Sequence, residues 1–160
     1  MSASYRTLVV IANMGLHYVD NPEKRFSRQD YQQQMTAALT YMHNFAIEME
    51  QPLQHSSSSS DHSHHHNKRI HIIWRETSAQ HFSTLNGYWP GIRFSHSLQR
   101  RCVPIKDPSP HADWRNRDIE DIISSKGLHK IRILRFYNTT VPLWSSHPNG
   151  HLRDCTHFCW

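Results

Sequence analysis

The chain has 160 residues, a formal charge of +5 and 37% hydrophobic content. That leaves room for one domain with a modest core, and no stretch approaches the roughly 18 consecutive apolar residues that span a bilayer. Nor does Met1 open a charged-then-apolar leader. The basic excess is diffuse, with no run of Lys and Arg longer than a pair such as Arg100-Arg101. Such a surface attracts acidic glycans only weakly, and without aromatic-basic interleaving or a known module nothing points to nucleic acid.

The first expected element is Tyr5-Arg6-Thr7-Leu8-Val9-Val10-Ile11-Ala12, an apolar run rich in β-branched residues and closed by Asn13 and Gly15. It reads as a buried strand. Ser27 then has the properties of a helix N-cap, with Asp30 three residues on and Phe26 and Tyr31 placed to form a hydrophobic staple. Tyr31, Met35, Ala38, Leu39, Met42, Phe45, Ala46 and Met49 follow at the period of a helix burying one face. The helix should stop before Pro52.

Residues 52–68 form a Ser- and His-rich tract, including five consecutive Ser and Asp61-His62-Ser63-His64-His65-His66. From His55 to Lys68 the tract has no apolar groups to offset the entropy of ordering, so it reads as a solvated insertion. Capture of a metal by its clustered imidazoles is the competing reading.

Arg69-Ile70-His71-Ile72-Ile73-Trp74 is the second strand, with residues 75–82 looping from its C-terminal end. Residues 86–110 carry no period and read as a long surface loop. A second helix should start at Asp113 as cap, bury Ile119, Ile122 and Ile123, and stop at Lys126-Gly127. Lys130-Ile131-Arg132-Ile133-Leu134-Arg135-Phe136-Tyr137 is the third strand. Strand–helix–strand–helix–strand order argues for a parallel α/β sheet with right-handed crossovers. Its functional rim would lie beyond the C-terminal strand ends.

Asp154-Cys155-Thr156-His157 places an acid and an imidazole three residues apart. In a serine-type triad the imidazole takes the hydroxyl proton, and the acid fixes the ring and stabilises its cation. His157 is the candidate general base and Asp154 its orienting partner. A chain with 15 His and 13 acids would contain such a spacing by chance, so the motif gains weight only from its company. Around it stand Cys155 and Cys159, the loop Ser145-Ser146-His147-Pro148-Asn149-Gly150, the segment Arg75, Ser78, His81 and Phe82, and Asn13-Met14-Gly15-Leu16-His17-Tyr18. In their order along the chain these segments resemble the PC-esterase group of GDSL/SGNH-like acyl-esterases, which includes the plant trichome-birefringence-like polysaccharide O-acetyltransferases. Phe158 stands where that family has Trp.

The resemblance implies a partial SGNH-hydrolase-like three-layer sandwich with a mainly parallel sheet. It implies one domain over 1–160 interrupted by the insertion at about 52–68, and no cofactor or metal. The expected activity is acyl-ester hydrolysis or O-acyl transfer on carbohydrate hydroxyls. The partners would be a polysaccharide or glycan acceptor and an acyl donor. The expected compartment is the secretory pathway, on the lumenal side of the Golgi membrane, with any membrane attachment through an N-terminal anchor absent from this chain. Asn13 and Gly15 would either stabilise the oxyanion or merely end the strand in a turn, and Arg75 and His81 would either contact substrate or hold their loop by hydrogen bonds. The family's Gly-Asp-Ser nucleophile element is absent, and Ser78 lacks the surroundings of a nucleophile elbow. The resemblance therefore implies a C-terminal-half fragment without its serine, inactive alone. A non-catalytic carbohydrate-binding module on the same scaffold is the alternative.

Three cysteines leave one unpaired in an oxidising compartment. A bridge from Cys155 or from Cys159 to Cys102 would staple the acid–imidazole turn to the preceding loop, whereas a reducing compartment would keep three buried thiols. The Asn138-Thr139-Thr140 sequon favours the secretory alternative.

Overall fold

A computed structural model describes residues 7–18, 20, 23, 26–51, 69–84, 87–88, 102–106, 113–148 and 154–158. Three strands, β1 (Thr7–Ala12), β2 (Arg69–Arg75) and β3 (Ile131–Leu134), form a parallel sheet in the order β1-β2-β3. Helices α1 (Arg28–Glu50) and α2 (Trp114–Ser125) cross over between consecutive strands, and a four-residue helix α3 (Tyr137–Thr140) follows β3. This is an α/β fold. The Ser/His-rich tract and most of the 86–110 loop lie outside the described residues, as do Tyr5, Arg6 and Cys159.

The local signals that start α1 act as expected. Ser27 accepts the Asp30 N–H, and the Asp30 carboxylate accepts the Ser27 N–H at 2.9 Å, closing a capping box. The staple is built differently. Phe26 has φ 65° and is exposed, and Tyr18 takes its place by packing edge-on against both Phe26 and Tyr31. Along the helix Tyr31, Met35, Leu39 and Ala46 are buried, joined by His43, which lies on the same stripe; Met49 remains exposed.

The α1 residues Tyr31, Met35 and Leu39, the strand residues Ile70, Ile72, Trp74 and Ile131, and the α2 residues Trp114, Ile119 and Ile122 form one core cluster. Both helices therefore cover one sheet face, the expected result of two same-handed crossovers running in one direction. The described residues make two layers. On the other face Val9, Ile11 and Leu134 are exposed, which corrects the reading of β1 as a buried strand. An apolar run reports that a strand is able to be buried on both faces, not that both faces are covered.

The third strand is also shorter than its pattern. It ends at Leu134 because the Glu76 carboxylate accepts the N–H groups of Phe136 at 2.7 Å and Tyr137 at 2.9 Å. That double acceptance turns the chain out of the ladder and into α3. At α2 the cap is Asp113, which accepts the Arg115 N–H at 3.0 Å, and Gly127 takes φ 65° just past the helix end.

A candidate catalytic turn held by the 76–81 loop

The strands deliver three chain segments to one rim. Asn13, one residue beyond β1, donates from Nδ2 to the Arg75 carbonyl at 2.7 Å. The Glu76 N–H then donates to the Leu134 carbonyl at 3.0 Å, so the ends of all three strands are tied in sequence. From there residues 76–81 run as a buried loop. Its Thr77 exchanges two hydrogen bonds with the Asn116 side chain, and its Ala79 N–H donates to Thr140 Oγ1 at 2.9 Å. Buried backbone groups are thus satisfied by side chains from α2 and α3 rather than by a strand partner.

The far end of that loop grips the acid–imidazole turn. His81 N–H donates to the Cys155 carbonyl at 2.9 Å, Gln80 Nε2 donates to Thr156 Oγ1 at 3.1 Å, and a disulfide joins Cys102 to Cys155. Of the two pairings left open for Cys102, the structure takes Cys155. The Val103 N–H donates to the His81 carbonyl at 2.9 Å, so the cysteine loop lies against the same segment.

Within the turn, Asp154 uses both carboxylate oxygens. Oδ1 accepts the N–H groups of Thr156 at 2.9 Å and His157 at 3.0 Å, while Oδ2 is bonded to His157 Nδ1. Burial opposes ionisation of Asp154, but the bonds from the His157 ring and from the two N–H groups outweigh it. The carboxyl is held below its ordinary range. With Nδ1 occupied, the edge of the ring carrying Nε2 is directed away from the acid, and the His157 side chain is 63% exposed. This is an oriented imidazole with an accessible second nitrogen, an arrangement able to move a proton at a neighbouring hydroxyl.

The other expected site residues divide. Asn13 commits one amide hydrogen to Arg75. Gly15 is buried at φ 138°, where a Cβ would stand 3.0 Å from the Tyr31 ring, and its carbonyl accepts Arg115 Nε at 2.8 Å. Among the described residues no hydrogen bond joins Asn13 or Gly15 to Asp154 or His157; the 76–81 loop links them. Arg75 lays its guanidinium over the Phe136 ring at 4.7 Å. His81 has no exposed surface, so in this conformation it supports the turn and is closed to a substrate.

Three contributors escaped the sequence reading. Glu76 and Gln80 lie inside the Arg75-to-Phe82 segment but carried no assigned role, and His147 lies in the Ser145-to-Gly150 loop. His147 donates from Nδ1 to the His157 carbonyl at 2.6 Å, and Phe158 stacks on its ring at 4.3 Å. The available signal was the presence of these residues in the segments that carry the resemblance. Among the described residues there is no cluster of three or more His, Cys, Asp or Glu able to hold a metal ion, and no helix long and apolar enough to cross a membrane.

No family model, no curated protein and no solved structure matches the chain significantly. The functional reading therefore stands on the residues and their geometry.

Proposed function

We propose that the chain is the C-terminal part of an SGNH-like acyl-esterase or O-acyltransferase domain acting on carbohydrate hydroxyls. The observation that carries this reading is the Asp154–His157 pair, in which the acid holds Nδ1 and the ring stands exposed. A serine from outside this chain would attack an acyl carbonyl and pass its proton to His157 Nε2. The imidazolium, stabilised by Asp154, would return that proton to the leaving oxygen. Water or a sugar hydroxyl would then release the acyl group by the same relay. Among the described residues Asn13 commits one amide hydrogen, to the Arg75 carbonyl, and its amide with the Gly15 N–H is the candidate donor pair for the oxyanion.

In this reading a third layer, the finer feature of an SGNH-like sandwich, would cover the sheet face that bears Val9, Ile11 and Leu134. The disulfide at Cys155 and the Asn138 sequon support a lumenal compartment, placed at the Golgi by the family resemblance.

The test is the product of the longer reading frame. It should contain a Gly-Asp-Ser after a buried strand, turn over acyl esters such as p-nitrophenyl acetate, and lose that turnover with His157→Ala. The 160-residue chain alone should be nearly inactive. Turnover by this chain, or a longer product indifferent to His157→Ala, overturns the proposal.

A non-catalytic glycan-binding module is the second reading. It draws support from a cavity of about 480 Å³ near the C-terminal ends of β2 and β3, lined by Glu76, Asn116, Arg117, Glu120, Asp121 and Asn138 among others. Such side chains suit a polyhydroxylated ligand. A complete reading frame with no Gly-Asp-Ser would favour it.

A further inference from the structure

The His81 and His147 rings meet at a distance that their outer bonds do not permit for two neutral imidazoles. His81 Nε2 lies 2.9 Å from the Val141 carbonyl, and His147 Nδ1 lies 2.6 Å from the His157 carbonyl. A carbonyl only accepts, so each of these nitrogens must carry hydrogen. A neutral ring has one N–H, which leaves the inner nitrogens, His81 Nδ1 and His147 Nε2, as bare lone pairs. Yet those two stand 2.6 Å apart, the separation of a hydrogen bond. Two protons serve two of the three contacts; all three require a third proton.

We infer that His81 and His147 share one additional proton between their inner nitrogens, and that in this three-proton form they clamp the backbone of the Asp154–His157 turn. They are positioning residues for His157, a role that rests on the catalytic reading of that turn; the shared proton itself does not.

The surroundings set the direction of its pH dependence. Asp154 and His157 are the titratable groups that face the pair among the described residues, with Asp154 favouring the extra charge on His147 and His157 opposing it. The other neighbours are the Val141 carbonyl and the Phe158 ring. Burial lowers the proton affinity of both rings below an ordinary imidazole, against the pull of the two carbonyls. The third proton is therefore held in acid and released as pH rises through a value below 6.5, the ordinary imidazole value. Once it leaves, one contact must open. His81 is wholly enclosed, whereas the His157 carbonyl belongs to an exposed residue, so the contact that yields is His147 to His157. The turn is clamped in acid and freed towards neutrality.

Long-range ¹H–¹⁵N correlation spectra of the ¹⁵N-His-labelled chain, recorded from pH 4.5 to 8, test this. His81 and His147 should titrate as one event with one proton released, and the backbone amides of Thr156 and His157 should shift at the same midpoint. His147→Asn keeps a donor at the Nδ1 position for the His157 carbonyl and removes the inner nitrogen. In that variant the amide shift should vanish while the turn keeps its acid-form position. His81→Gln, which keeps a donor for Val141, should also abolish the shared event. Independent titrations of the two rings, or a pair whose outer nitrogens both stay protonated with no movement at His157 across the range, overturn the inference. These spectra need no substrate and no serine, so this inference and the esterase reading fail separately.

Discussion

Asp154 holds His157 twice, through Oδ1 to the backbone N–H at 3.0 Å and through Oδ2 to ring Nδ1. The three-residue spacing makes this possible, because one short turn brings the acid both to the start of its own loop and to the side chain that ends it. The backbone bond fixes where the imidazole is mounted, and the ring bond fixes how it is rotated. Neither alone would direct Nε2.

This double use gives Asp154 a signature in stability against pH. Its folded carboxyl titrates below its ordinary 3.8, so the folded state binds fewer protons there than the unfolded state. Its contribution is complete above that unfolded value and is lost as pH falls through the lower folded one. Urea midpoints should therefore drop between pH 5 and pH 2.5, and Asp154→Asn should reduce that drop. An unchanged slope in the variant would remove Asp154 from the linkage.

The Cys102–Cys155 bridge spans 53 residues and ends inside the turn. Bridges of this kind stabilise by about 2–4 kcal/mol, chiefly by restricting the unfolded chain. Cys102→Ser and Cys155→Ser should lower the urea midpoint equally, and a reductant should produce the same loss in the parent with no further loss in either variant. Unequal losses would show that one cysteine acts through something other than the bridge.

Glu76 ends β3 and starts α3. Burial opposes its ionisation, but the bonds from the Tyr137 N–H, the Arg135 side chain and the Phe136 N–H prevail and hold the carboxyl below its ordinary range. Glu76→Ala should strand the two N–H groups at a cost of about 1–3 kcal/mol each where water cannot reach them. The expected readouts are a lower urea midpoint and faster amide exchange at Phe136 and Tyr137. Unchanged exchange at both would show that Glu76 does not set the strand end.

Much of the secondary structure was legible because its causes are local. Ser27 with Asp30, and Asp113 before Trp114, are capping chemistry written within a few residues, and the helix starts followed them. The parallel sheet followed from alternation of elements. What stayed hidden depended on distant partners. Leu134 ends its strand because of Glu76, nearly sixty residues earlier, and Val9 is exposed because no described element covers its face. At the site, Asp154 and His157 were readable as neighbours in sequence. His147 and Gln80 were not, since their roles exist only once the 76–81 loop and the turn meet.

The central claim is that the acid sets the imidazole's tautomer, and nitrogen NMR of His157 reads it directly. At pH 8 the ¹⁵N spectrum should show the hydrogen on Nδ1 and a bare Nε2, and Asp154→Ala should let the ring revert to a mixture dominated by the Nε2–H form. A parent chain in which His157 already carries its hydrogen on Nε2 would contradict the account, because the nitrogen assigned to receive the serine's proton would already be occupied.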